Sequence, residues 1–183
     1  LTATVGGGTI DAALHLAAAS APQIDATLTA KALDLARMLQ DLGLPDSMRG
    51  DLGLKVDLQG QGASPADLAA SLDGKLSMVM QEGGMDSRYL QKAQLYGFEL
   101  TNAFVQLFKA PDKEPTEDVK INCLVCRFDV TDGVAETEAL VFDTALVGVV
   151  GKGQINLKRE TLDIALKPVT DGGIGIPGLA KLK

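Results

Sequence analysis

Two segments of this sequence combine strand-forming residues with apolar side chains on both faces, and this combination limits the folds that the chain can adopt. In residues 119–130, odd and even positions are both apolar: Val119, Ile121, Cys123 and Val125 alternate with Leu124, Cys126, Phe128 and Val130. Residues 140–150 repeat the pattern. Strands of an antiparallel sheet normally alternate apolar and polar side chains, so these strands need a second apolar surface over their other face. That surface could be a helix, another sheet or a lipid.

The composition favours an aliphatic core and argues against nucleic-acid binding. Of the 183 residues, 46% are hydrophobic but only 4% are aromatic, and tryptophan is absent. Such side chains suit aliphatic ligands better than aromatic rings. The net charge of −7 opposes nucleic acid, which proteins bind by neutralising phosphates with Lys and Arg. The sequence shows no signal peptide and no apolar stretch of about 18 residues that would span a membrane.

The first half of the chain predicts strands that are apolar on one face only. Residues 1–5 and 9–18 predict a hairpin around three glycines, and residues 23–30 continue the alternation. Residues 51–59 and 74–82 alternate in the same way, which indicates strands that are half-buried. Asp132-Gly133 is a hairpin signal in the second half.

Three segments predict helices, at residues 34–42, 65–72 and 86–108. The first ends at Gly43, ahead of Pro45. The second has a strong start, because Ser64 can cap the helix and Pro65 suits its first position. Together with the strands, these helices predict one α+β domain, in which about three helices pack on one face or end of an antiparallel sheet.

Within this single domain, residues 1–183, we expect four parts. A mixed α/β front (1–109) is followed by a charged, proline-containing linker loop (110–118), an all-β back (119–168) and a glycine-rich tail (169–183). The abrupt ends of the sequence indicate a fragment of a larger chain.

Cys123 and Cys126 form the most conspicuous candidate site. The spacing occurs in redox motifs and in half of a zinc site, but these cysteines lie in a predicted strand rather than at a helix start. Side chains three apart in a strand point to opposite faces and lie about 10 Å apart along the chain. We expect unpaired thiols, with a disulfide across a bulge as the alternative and a metal site as the least favoured reading.

Other candidate residues favour structural roles. His15 is the only histidine and has no metal-ligand pattern around it. Met78, Met80 and Met85 indicate core packing, with an adaptable binding surface as the alternative. The acidic residues of the back half suit turns and strand edges, and catalytic motifs such as GxSxG and HExxH are absent. We therefore expect a protein that is not an enzyme and binds no cofactor or metal.

Residues 45–168 resemble the C-terminal region of AsmA-like proteins of the bacterial cell envelope. Two patterns of glycine and strand placement carry the resemblance, from Gly60 to Gly74 and from Asp132 to Leu157. The resemblance implies a periplasmic domain, anchored to the inner membrane by a segment of the parent chain. It also implies a role like that of bridge-like lipid transfer proteins, in which a curved, open, groove-like sheet carries phospholipid acyl chains towards the outer membrane and supports outer-membrane biogenesis.

If the helices cover one face of the sheet, the other face of strands 119–125 and 140–150 is free to contact lipid. Our lipid-facing candidates are Val119, Ile121, Cys123, Val125, Val141, Val147 and Val149. Against this stands the possibility that protein covers both faces. A second function remains open, in which the module binds an envelope assembly partner by β-strand addition at residues 169–183.

Overall fold

One antiparallel sheet of nine strands organises the computed structural model, which describes residues 1–5, 7–17, 21–88 and 118–169. Each strand pairs with the strands before and after it in the sequence, so the sheet is a meander. The strands are β1 Thr2–Val5, β2 Gly8–Ala17, β3 Gln23–Asp34, β4 Met48–Gln61, β5 Asp73–Asp86, β6 Asp118–Thr131, β7 Val134–Thr144, β8 Gly148–Asn156 and β9 Thr161–Val169.

The predicted α+β class is wrong, because the described chain is essentially all-β. Its two helices are α1, Leu35–Asp41, and α2, Pro65–Ala70, and neither exceeds two turns. Helices this short act as connections between strands rather than as a layer. The strands β3, β4 and β5 are also several residues longer than their alternation predicts. The third predicted helix falls almost entirely outside the described residues, as do most of the linker and the tail.

The cap of α2 and the glycine that follows α1 lie where local sequence signals predict them. Ser64 caps α2 by accepting a hydrogen bond from the Asp67 amide at 3.1 Å, with Pro65 in the first turn. Asp34 caps α1 in the same way through the Arg37 amide. Beyond α1, Gly43 adopts a left-handed conformation with φ +67°. The predicted start of α2 and the predicted role of Gly43 in ending α1 are therefore confirmed.

The described front and back of the chain share one sheet, since β5 and β6 pair from Gly74↔Val130 to Asp86↔Asp118. The predicted turn at Asp132-Gly133 is confirmed, because both residues have positive φ, as a tight hairpin requires. Front and back strands therefore belong to one continuous sheet.

The core of the described residues lies at one end of the sheet. Met80 and Ile121 are fully buried, at 0% exposure. Leu33 and Leu52 are buried with them, and Leu35 and Met38 of α1 pack against this cluster. Of the predicted core methionines, Met80 and Met85 are buried and Met78 packs against the cluster. Core packing is therefore confirmed for Met80 and Met85, while Met78 is half-buried beside them.

Candidate functional site

A single row of apolar residues crosses all nine strands of the sheet. Its members are cross-strand neighbours in register: Ala3, Ile10, Ala30, Leu54, Met78, Cys126, Leu140, Gly151 and Leu166. Residues paired in this way lie on the same face of a sheet. The row therefore defines one face of the sheet, which we call the apolar face.

Two other rows on the same face are also entirely apolar. One row runs through Leu33, Leu52, Met80, Leu124, Phe142, Val149 and Pro168. The other runs through Leu14, Ala26, Leu58, Gly74, Val130, Ala135, Ile155 and Leu162. None of the residues in these three rows carries a charge, so the face is predominantly apolar along them.

The opposite face, which we call the polar face, carries mostly charged and hydrogen-bonding side chains. A typical row on it contains Thr27, Asp57, Lys75, Asp129, Glu136, Gln154 and Asp163. Within this row Lys75 forms an ion pair with Asp129 at 3.1 Å, and both side chains are largely exposed. The sheet thus has one polar face and one apolar face.

Burial is uneven across the apolar face. The end near Met80 and Ile121 is closed by the core, whereas most side chains towards the middle, such as Val56 and Leu76, are only half-buried. Near the two edges of the sheet, Leu14 is 61% exposed and Leu162 is 55% exposed. Within the described residues, the apolar face is therefore incompletely covered.

The helices lie at the ends of the strands rather than over their middle. Helix α1 packs against the core cluster through Leu35 and Met38. Helix α2 lies near the other end of β4, where a Cβ on Gly60 would be 3.1 Å from side-chain atoms of Leu68 and Leu72. Between these helices, the half-buried strip of the apolar face has no helix over it among the described residues.

The two threonines on the apolar face in the described part of the chain are already engaged in hydrogen bonds. The Thr137 hydroxyl bonds the Gly153 backbone, and the Thr144 hydroxyl donates to the Val147 carbonyl oxygen at 2.8 Å. Their hydroxyls serve the fold rather than a ligand. In its described part, the face offers apolar contact and no charged group, which suits an aliphatic chain.

The seven lipid-facing candidates divide between regions of the sheet. Val119 and Ile121 belong to the buried core on the apolar face, and Val147 packs against that core. Val149 is buried on the same face beside Phe142. The remaining three lie on the polar face, where Val125 and Val141 are paired and Cys123 is paired with Asp143. Lipid contact by these residues stays a prediction.

A β-bulge explains the division. The register of β6 against β7 shifts between Ile121 and Cys123. A bulge adds one residue to one strand and so reverses the parity of the alternation beyond it. Odd positions before the bulge therefore share a face with even positions after it, such as Leu124.

Apart from Met78, for which an adaptable binding surface was the alternative, sequence reasoning did not propose the half-buried apolar residues of the first five strands as lipid contacts. Their signal was present, since Leu54, Val56 and Leu58 alternate with charged or amide side chains. Such alternation indicates which face is apolar. It does not indicate whether another layer covers that face.

The two cysteines are free and lie on opposite faces of β6. Burial raises the pKa of the Cys126 thiol to about 11. Burial also raises the pKa of Cys123, with a smaller contribution from the carboxylate of Asp143. A raised pKa disfavours the thiolate, which is the reactive form of cysteine, so this geometry does not suit a redox pair.

His15 is exposed on the polar face, paired across the strands with Asp25. Neither described helix has the length and apolar character needed to cross a membrane.

Comparison with known proteins gives a consistent family assignment. The AsmA family matches residues 1–140. The AsmA family protein YhjG of Escherichia coli K12 is 30% identical over 169 residues, which cover 91% of this chain but 23% of that relative. The chain thus spans less than a quarter of the length of this relative. No solved structure matches the chain.

Proposed function

The chain belongs to the AsmA family of cell-envelope proteins, and on that premise we propose that its sheet binds phospholipid acyl chains along the apolar face. In this proposal the domain is a non-enzymatic module of a longer protein that conducts phospholipid between the inner and outer membranes. The continuous apolar row across nine strands is the observation that carries the proposal.

The chemistry of the apolar face supports an aliphatic ligand. Its half-buried strip includes Leu54, Val56 and Leu76, each beside an apolar partner on the next strand. Each buried CH₂ group contributes about 0.8 kcal/mol, so even half of an acyl chain would gain several kcal/mol without any polar contact. The three apolar rows carry no charged group that would have to be desolvated when such a chain binds.

The extent of the sheet also suits a lipid. Neighbouring strands are about 4.8 Å apart, so eight intervals span roughly 38 Å across the sheet. Half of a bilayer's hydrocarbon core is about 15 Å thick, which approximates the depth that one layer of acyl chains occupies. One acyl chain would therefore contact only a few of the nine strands.

We further propose that the domain works in the periplasm, held by a membrane anchor elsewhere in its parent protein, and that it supports outer-membrane biogenesis. In this proposal the chain is one part of a longer protein, and it covers 23% of the length of its E. coli relative.

Purification without detergent, followed by lipid mass spectrometry, tests the binding proposal. We expect phospholipid to copurify with the wild-type chain. The variant Leu54→Glu places a charge in the half-buried strip, and we expect it to lose most of that lipid. The control Lys55→Glu alters the next residue of β4, which is exposed on the polar face, and this variant should retain the phospholipid. Circular dichroism establishes that both variants are folded.

The proposal fails if the wild-type protein is free of lipid, or if folded Leu54→Glu and Lys55→Glu proteins carry as much lipid as the wild type.

A further inference from the structure

We propose that Met38, Met78 and Met80 form an adjustable end to the acyl-chain site and allow the site to accept chains of different length. We call these three residues the methionine boundary. This role rests on the proposed function, because it concerns the same apolar face.

The five methionines of the chain all lie in one cluster. Met80 and Met85 are buried in the core, and Met38, Met48 and Met78 pack against it. They come from three elements, α1, β4 and β5, and Met48 pairs with Met85 across the strands. The closed end of the apolar face therefore holds every thioether side chain of this sequence.

The methionine boundary lies where the half-buried strip meets the core. Along β5, the side chains of the apolar face change from half-buried at Met78 to fully buried at Met80. On β4 the same change occurs between Leu54 and Leu52, which are the cross-strand partners of those two methionines. The half-buried Met38 packs against this cluster from α1. An acyl chain that lies along the strands would therefore reach the methionines with its terminal methyl group.

The length of the strip is of the same order as the length of an acyl chain. On β4, Leu54 is six positions from Gly60, where the leucines of α2 approach the sheet. At about 3.4 Å per residue this part of the strip is roughly 20 Å long. One layer of acyl chains in a membrane is about 15 Å deep. Chains that differ by a few carbon atoms would therefore differ in their contact with the boundary.

Methionine suits a boundary that has to adjust. Its side chain is unbranched, has three rotatable bonds and fits irregular gaps, and flexible Met-rich surfaces allow a protein to bind varied partners. At the other end of the strip, the branched side chains of Leu68 and Leu72 lie only 3.1 Å from the position of a Cβ on Gly60. Of these two ends, the methionine end is therefore the one that can yield to a longer chain.

A series of lysophosphatidylglycerols with chains of twelve to eighteen carbons tests this role, with binding measured by displacement of a fluorescent fatty acid. If the boundary yields, each added CH₂ group should strengthen binding to the wild-type protein by up to about fourfold, because it is buried in turn. In Met78→Ile the side chain stays apolar and of similar volume but is stiff at χ1. We expect this variant to bind the longest chain about tenfold more weakly than the wild type and the shortest chain equally well.

The control Leu76→Ile places the same residue two positions earlier on β5, within the strip, and should keep the wild-type dependence on chain length. A second variant, Met38→Leu, changes the boundary from α1 with a residue that also favours a helix, and it should weaken binding of the longest chain as well. Urea midpoints establish that all three variants are folded.

Labelling the methionine methyl groups with ¹³C gives a direct measurement by NMR. The Met78 and Met80 signals should shift more with the eighteen-carbon lipid than with the twelve-carbon lipid. The signal of Met85 should change little with either lipid, because this residue lies beyond the boundary in the core.

The inference is overturned if folded Met78→Ile and Met38→Leu proteins bind the whole series as the wild type does. It is also overturned if Leu76→Ile loses as much affinity as Met78→Ile, or if the methionine signals respond equally to short and long chains. In each of these cases the lipid proposal stands. If the wild-type protein binds no member of the series, the lipid proposal itself fails and the role of the methionine boundary fails with it.

Discussion

Thr137 and Gly153 are joined by two hydrogen bonds across β7 and β8, beside a bulge. The Thr137 hydroxyl donates to the Gly153 carbonyl oxygen at 2.5 Å and accepts from the Gly153 amide at 2.5 Å. The register of these strands shifts between Glu136 and Leu140, so the hydroxyl replaces pairing that the backbone loses there. A side chain thereby maintains the continuity of the apolar face.

Replacing this hydroxyl tests its role. We expect Thr137→Val to lower the free energy of unfolding by about 1–3 kcal/mol, because the Gly153 backbone groups would lose their partner. Thr137→Ser keeps the hydroxyl and should lie closer to the wild type. Urea denaturation measures both, and equal stability of all three proteins would contradict the prediction.

Gly74 occupies a position that other residues cannot adopt without strain. It has φ +135°, and a Cβ there would lie 2.0 Å from the Asp57 carbonyl oxygen. We expect Gly74→Ala to destabilise the protein by about 2 kcal/mol or more. The matched control is Gly53→Ala in the neighbouring strand, where the nearest atom to a Cβ is 3.6 Å away. Thermal unfolding should show a change within about 0.5 kcal/mol for that control.

The ion pair between Asp86 and Arg88 predicts a pH dependence of stability. The Asp86 carboxylate accepts hydrogen bonds from the Arg88 Nε and backbone amide, each at 2.9 Å, and both side chains are largely buried. The side-chain hydrogen bond from Arg88 lowers the pKa of Asp86, against the opposing effect of burial. A lowered folded-state pKa stabilises the fold above the unfolded-state pKa, and this stability is lost as the pH falls below about 4.

We therefore expect Asp86→Asn to be less stable than the wild type at pH 7, with the difference shrinking below about pH 4. The control Asp118→Asn removes an exposed pair with Arg49 and should cost at most about 1 kcal/mol at either pH. Urea midpoints across this pH range decide the matter. A difference for Asp86→Asn that does not vary with pH would rule out the ion pair as its cause.

The two thiols should differ in reactivity. Cys126 is buried on the apolar face with a pKa of about 11, whereas Cys123 is half-buried. Because the thiolate is the reacting species, a thiol reagent at pH 8 should modify Cys123 first and Cys126 only when the sheet opens. The variants Cys123→Ser and Cys126→Ser show which modification rate belongs to which thiol. Equal modification rates of the two thiols in the folded protein would contradict the burial of Cys126.

The alternation of side chains predicts most of this sheet. Leu52, Leu54, Val56 and Leu58 define one face of β4 from the sequence alone, and Asp132-Gly133 defines a turn. Local signals also predict both short helices, because Ser64 and Pro65 act within their own turn. Such features depend on neighbours in sequence, which is why they are predictable.

Features that depend on strand pairing were not predictable. The bulge next to Asn122 changes which side chains share a face. Val125 and Ile121, both at odd positions, therefore lie on different faces of the sheet. The predicted fold class was wrong because the helical sequence patterns were taken to indicate a layer of helices packed on the sheet. The described helices only connect strands.

The most direct test of the central claim places a photo-crosslinking amino acid at single positions of β4. Val56 lies in the half-buried strip of the apolar face, and Asp57, the next residue, is exposed on the polar face. After irradiation in cells, mass spectrometry of the purified protein should find phospholipid attached at position 56 and none at position 57. Equal attachment at both positions, or attachment at neither, would contradict the claim that the apolar face binds acyl chains.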